Sequence, residues 1–186
     1  MQVQLQSKDK TIILDNETFV AKGQYGTVVT YTPRRDGGED DEDDDDGEDQ
    51  WLREVVFKKI SLAEWTQVSP SEALKEAVLC KFLGDIGVGP PCSKAPKMQQ
   101  QSENLFIAND AQEECIYVVM DKMDCDLEGY VRELKQQRVG EEEFVNTMKT
   151  AETQLAKRIR RMIDADLLCT DMKALNVLVH YIHQVV

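Results

Sequence analysis

Near its C-terminal end the chain carries Thr170-Asp171-Met172-Lys173-Ala174-Leu175-Asn176, TDMKALN, between two apolar pieces, DLLC and VLVH. A loop Asp can accept a proton from an attacking hydroxyl, and a Lys two residues on can neutralise phosphate charge. An Asn three residues further can hold a divalent cation through its carbonyl oxygen, and the three roles together suit phosphoryl transfer. Three upstream features bear on the same chemistry. Gly23-Gln24-Tyr25-Gly26 in VAKGQYGTVV can bring backbone N–H groups up to phosphate oxygens, although a plain hairpin turn also uses two glycines. Lys58 in VVFKKI sits inside an apolar run, so its ammonium needs either an anion or an exit to solvent. Glu76 in KEAVLCKFL is either a solvent-facing carboxylate or the partner of that lysine.

These residues need elements to hold them. ETFVAKGQYGTVVTYTP predicts two strands joined as a hairpin, and WLREVVFKKISL predicts a third, with Val55 and Phe57 on one face and Val56 and Lys58 on the other. SPSEALKEAVLCKFLG predicts a helix: Ser69 and Glu72 form an S-x-x-E capping box, Pro70 fits the first turn and Gly84 closes the run. NLFIAND and ECIYVVMDK predict two more strands turning at DAQEE. DLEGYVREL places Leu127, Tyr130, Val131 and Leu134 on one helical stripe. From Glu141 a longer helix repeats Phe144, Met148, Ala151, Leu155, Ile159 and Ile163. Its basic end, with Lys157, Arg158, Arg160 and Arg161, suits the helix dipole without any ligand. VLVHYIHQVV predicts a short hairpin. Strands and helices segregate along the chain, which predicts an α+β fold.

Composition narrows the class. The formal charge of -13 is concentrated in residues 36–49, which hold 11 acidic side chains and leave 24 acids against 22 bases elsewhere. The block predicts a disordered acidic insert over residues 36–50, either merely solvated or docking a basic partner. Acidity argues against non-specific nucleic-acid binding, and no run of apolar residues predicts a membrane span. Five cysteines without C-x-x-C indicate neither a disulfide framework nor a zinc site. With no signal-like N-terminus either, the expected location is intracellular, cytoplasmic or nuclear. His180 and His183 form H-x-x-H, but on a strand they would face opposite ways.

In this order the four features resemble a eukaryotic-type serine/threonine protein kinase domain, from about Ile12 to Val186. VAKGQYGTVV is similar to the family's Gly-rich loop. Gly23 and Gly26 stand at its second and third glycines, Val28 at the valine covering adenine, and Ala21 replaces the first glycine. VVFKKI resembles the third-strand motif, which makes Lys58 the phosphate-binding lysine and puts Val56 against adenine. SPSEALKEAVLCKFL resembles the C-helix, with Glu76 as the ion-pair partner of Lys58. CIYVVMDKMDCDL is similar to the fifth strand and hinge. The match places Met120 at the gatekeeper, Asp121 and Met123 at the adenine-binding backbone and Asp126 near the ribose. TDMKALN resembles the catalytic loop, making Asp171 the catalytic base, Lys173 the phosphate-binding lysine and Asn176 the magnesium ligand.

The resemblance implies a protein kinase-like fold. Residues 1–11 form an extension, 12–123 an N-terminal lobe of antiparallel sheet plus C-helix, and 124–186 the start of a helical C-terminal lobe. It also implies ATP and Mg2+ as cofactors and a protein hydroxyl as substrate. Besides Ala21, and Ala174 in place of a frequent proline, the pattern departs from the family in two larger ways. Cys169-Thr170-Asp171 stands where the family has His-Arg-Asp, and the chain ends at Val186, before an Asp-Phe-Gly motif. The resemblance therefore implies a truncated domain, poorly active or inactive. Two rival expectations are a pseudokinase-like module docking partners through its small lobe and acidic insert, and a kinase-like enzyme acting on a small molecule.

Overall fold

A computed structural model describes residues 3–6, 11–23, 26–32, 46–62, 69–92, 105–110, 113–168 and 172–180. The fold is α+β, with an antiparallel sheet and, among the described residues, four helices. The chain divides into two compact units, one of residues 1–85 and 91–122, the other of residues 86–90 and 123–186. Among the described residues no helix is long and apolar enough to cross a membrane.

The first unit is built on six strands: β1 (Val3–Gln6), β2 (Thr11–Lys22), β3 (Thr27–Thr32), β4 (Val55–Ser61), β5 (Leu105–Asp110) and β6 (Glu113–Asp121). They lie in the order β1-β2-β3-β4-β6-β5, every neighbouring pair antiparallel. β2 slips register twice, between Asp15 and Thr18 and between Phe19 and Ala21, and Asn16 beside the first slip takes a positive φ of 53°. Asn tolerates that left-handed conformation, so it absorbs the bulge at little cost.

Central position explains the apolar run in β4. Val55 and Phe57 enter one cluster with Leu14, Val29, Tyr31, Tyr117 and Val119, while Val56 and Ile60 enter another with Ala73, Ala77, Ile116 and Val118. Both faces of a strand so placed must be covered. Helix α2 (Pro70–Asp85) covers one, lying close because its two buried residues are alanines. Its start is the expected capping box: the Glu72 amide donates to Ser69 Oγ at 3.3 Å and the Ser69 amide to Glu72 Oε2 at 2.9 Å. Hydrogen bonds from Ser69 hold the Glu72 carboxyl below the usual range. The helix runs through Gly84 to Asp85, one residue past the expected stop.

Helix α1 (Asp46–Glu54) covers the other face, and it corrects two expectations. Residues 46–50 are helical rather than part of an acidic loop, and 51–54 are helical rather than the start of a strand. Trp51 and Leu52 are the cause: both are buried against β3 and β4, and Trp51 meets the Phe57 ring edge-on at 6.0 Å. Residues 36–45 of the expected insert lie outside the described residues.

The second unit holds α3 (Leu127–Gln136) and α4 (Glu141–Asp164). A 3-10 turn (Ala174–Asn176) follows, and a two-stranded ribbon pairs β7 (Cys125–Asp126) with β8 (Leu178–Val179). Leu178–Val179 pair with a strand about fifty residues upstream, and residues 181–186 of the expected hairpin lie outside the described residues. Leu134 is buried on the stripe expected for α3, whereas no described residue of α4 is buried. Arg158 donates to the Val88 carbonyl at 3.1 Å and Arg161 to that of Gly87 at 3.1 Å. Two members of the basic cluster thus hold the 86–90 segment. His180 Nδ1 lies 3.2 Å from Asp124 Oδ2.

Candidate functional site

The site grows from β4 and α2. Alternation turns Lys58 toward the α2 face, along with Val56 and Ile60. Glu76 lies on the inner side of α2 near Ala73 and Ala77, and its Oε1 accepts a hydrogen bond from Lys58 Nζ. Both side chains are 19% exposed, so the pair is neither dry nor fully solvated. Cys80, one helical turn past Glu76, completes the cluster. Lys58 Nζ donates to its Sγ at 3.2 Å, and the thiol lies 3.6 Å from Glu76 Oε1.

Charge settles which partner matters. Burial pushes the Lys58 ammonium toward its neutral form, but Cys80 and Glu76 more than offset this and raise its pKa. Burial also pushes the Cys80 thiol up, with Lys58 opposing, so near neutrality it is a thiol. Glu76 is therefore the charged partner that keeps Lys58 an ammonium. Cys80 was not singled out in the sequence, although its spacing of four from Glu76 places it on the same helix face.

Strand register brings other expected residues alongside. Val28 on β3 is opposite Lys58, and Val56 is opposite Met120 on β6. Val28, Val56 and Met120 all belong to or pack against the cluster on the α2 face. An apolar strip thus runs across three strands beside a fixed ammonium. Lys59 points the other way, to Glu17 at 3.5 Å, so the two adjacent lysines have different carboxylate partners.

The two glycines of the hairpin differ. The Gly23 amide closes the turn on the Gly26 carbonyl at 2.8 Å. A Cβ at Gly26 would collide with the Lys59 carbonyl oxygen, so packing against β4 requires this glycine. A Cβ at Gly23 would meet nothing nearer than 3.7 Å, so local packing does not require that one. Gln24 and Tyr25 lie outside the described residues.

The remaining expected positions fall as follows. The Asp121 amide donates to the Pro91 carbonyl at 2.9 Å, which ties the end of β6 to the segment after α2. Met123 and Asp126 belong to the second unit. There Asp126 Oδ1 accepts the Gly129 amide at 2.7 Å and caps α3. Lys173, just before the 3-10 turn, and Asn176, at its end, are exposed, and the Asn176 amide donates to the Lys173 carbonyl at 2.9 Å. Asp171 lies outside the described residues.

No protein-family model matches the chain, and no curated protein matches it.

Proposed function

We propose that the chain is a protein kinase-like phosphotransferase domain that binds ATP along the α2 face of its sheet and serves a protein serine or threonine hydroxyl. The observation carrying this is the Lys58–Glu76 pair, a part-buried ammonium fixed by a carboxylate on a separate helix. A strand lysine that merely reaches solvent needs no such carboxylate. The apolar strip of Val28, Val56 and Met120 fits a purine ring, and the Lys58 ammonium fits its phosphates. The antiparallel sheet with a helix inserted after the lysine strand is compatible with the small-lobe arrangement that the resemblance implies. Bound ATP would supply the transferable phosphoryl group. In that scheme Gly23 lets the loop backbone approach the phosphates, Asp171 takes the hydroxyl proton, and Lys173 neutralises charge on the transferred group. Asn176 would offer its carbonyl oxygen to magnesium.

Titration calorimetry of ATP into the full chain, with and without magnesium, tests this. Lys58→Met should weaken binding at least about tenfold, equivalent to about 1.4 kcal/mol, while Lys59→Met should leave it unchanged. Equal effects from both lysines would mean a general charge attraction rather than a site. No binding by the wild-type chain at millimolar ATP would overturn the proposal and leave the partner-docking module as the better account.

A further inference from the structure

Lys58 meets two acceptors, both on α2 and one helical turn apart. Its ammonium donates to Glu76 Oε1 and, at 3.2 Å, to Cys80 Sγ. The thiol in turn donates toward Glu76 Oε1 at 3.6 Å, so the three groups close a ring of hydrogen bonds. Burial raises the Cys80 pKa against the pull of Lys58, so near neutrality the sulfur keeps the proton that this last contact uses. Cys80 also packs against the apolar cluster that holds Ile60, Ala77 and Met120, a contact that restricts its side chain.

The Glu76 carboxylate already supplies the charge that Lys58 needs, so charge does not explain the thiol. An ammonium carries three N–H donors and turns about its last bond unless more than one of them is held. One acceptor fixes a distance. A second, one turn along the same helix, fixes the rotation.

We propose that Cys80 is a positioning residue for Lys58: with Glu76 it holds two of the ammonium N–H groups and so aims the third at the ligand. What the third N–H meets rests on the ATP site proposed above, where it is a phosphate oxygen. The hold on the ammonium is present without any ligand. If Cys80 were instead a small apolar filler beside Ala77, the order of tolerated substitutions would reverse. Serine keeps a donor and an acceptor at this place but fills it poorly as an apolar group. Valine fills the space and keeps neither.

Two measurements on the full chain test this. The first follows exchange of the Lys58 ammonium protons with water by NMR, without ligand, the signal being assigned by its loss in Lys58→Met. Exchange in Cys80→Ser should stay close to wild type, whereas Cys80→Val and Cys80→Ala should quicken it severalfold. The second titrates ATP and adenosine calorimetrically. Cys80→Val and Cys80→Ala should weaken ATP about three- to tenfold, the loss expected for one hydrogen bond, and Cys80→Ser should restore it. Adenosine, which has no phosphate, should bind all four chains alike. Unchanged ammonium exchange in both apolar variants would overturn the proposal, and so would equal weakening of ATP and adenosine, which marks a packing defect. If the wild-type chain binds no ATP, the ATP site falls, and the exchange rates alone decide whether Cys80 holds the ammonium. Two apolar variants of different size keep the test open if one of them fails to fold.

Discussion

The sheet unit and the helical unit solve the same burial problem to different depths. In the first, β4 is packed on both faces, and Phe57 is wholly buried against Tyr31 at 5.1 Å and Trp51 at 6.0 Å. In the second, the 24-residue helix α4 has no buried described residue, and Ile163 is 58% exposed. A long amphipathic helix gains most of its stability from tertiary packing, so α4 has the weaker local support. The difference shows where a precise site can form. Lys58, Glu76 and Cys80 are held by a doubly covered strand and a capped helix, whereas Lys173 and Asn176 stand at an exposed turn.

The strongest way to break this comparison is to remove one apolar side chain from each unit. Phe57→Ala should cost about 3–5 kcal/mol, since it empties a fully enclosed site. Ile163→Ala should stay within about 0.5 kcal/mol, since little burial is lost and Ala favours helix. Urea unfolding followed by both tryptophan fluorescence and circular dichroism would measure the two. Comparable losses would mean that α4 is covered in solution and that the contrast is false.

A second pair sharpens the reading of the hairpin. Gly26→Ala forces a Cβ into the β4 backbone and should destabilise the chain by about 1–3 kcal/mol. Gly23→Ala has room and should leave the unfolding midpoint nearly unchanged. If Gly23 serves phosphate approach, the same substitution should nevertheless weaken ATP binding several-fold. Unchanged binding would reduce Gly23 to an ordinary turn residue.

These contrasts also mark what could be read from sequence. The alternation of Val55, Val56, Phe57 and Lys58 was legible because period two in a strand maps directly onto two faces. The Ser69–Glu72 box was legible because its partners are three residues apart. Helix α1 was not: its first residues carry charge and no apolar pattern, and its cause is the demand of β3 and β4 for a cover over Val29, Tyr31 and Phe57. The pairing of β7 with β8 was equally hidden, because two-residue strands far apart in sequence leave no local signature. Of the site, Lys58 and Glu76 were nameable as candidates, but the sulfur between them emerges only when helix and strand are laid together. Asp126 shows the reverse, since D-x-x-G before an apolar stripe is itself a capping signal that the assignment to a ribose passed over.

The electrostatics of the first unit give a smaller and more selective effect. The folded chain binds the Lys58 proton more tightly than the unfolded chain, where lysine titrates near its ordinary value of about 10.4. The stabilisation is therefore complete below that pH and is lost as pH rises through the higher folded value. In Glu76→Gln the charged partner is gone, so its stability deficit relative to wild type should shrink as the medium is taken from neutral to beyond that range. A deficit that stays constant with pH would show that Glu76 acts through packing or hydrogen bonding alone.

The smallest expected difference sets the two helix caps against each other. Asp126 caps α3 through one bond to Gly129, and Asp126→Ala should cost about 0.5–2 kcal/mol while Asp126→Asn keeps most of the cap. In α2 the cap is reciprocal, and the depressed Glu72 carboxyl makes it pH-sensitive. Its contribution is present above the ordinary glutamate value of about 4.3 and fades as pH falls through the lower folded value. Ser69→Ala should therefore lower the unfolding midpoint at neutral pH and converge with wild type in acid. Asp126→Asn is an uncharged cap and should show no acid convergence of its own. If Ser69→Ala keeps its full deficit in acid, the serine hydroxyl alone holds the helix start, and the two units begin their helices by the same one-sided device.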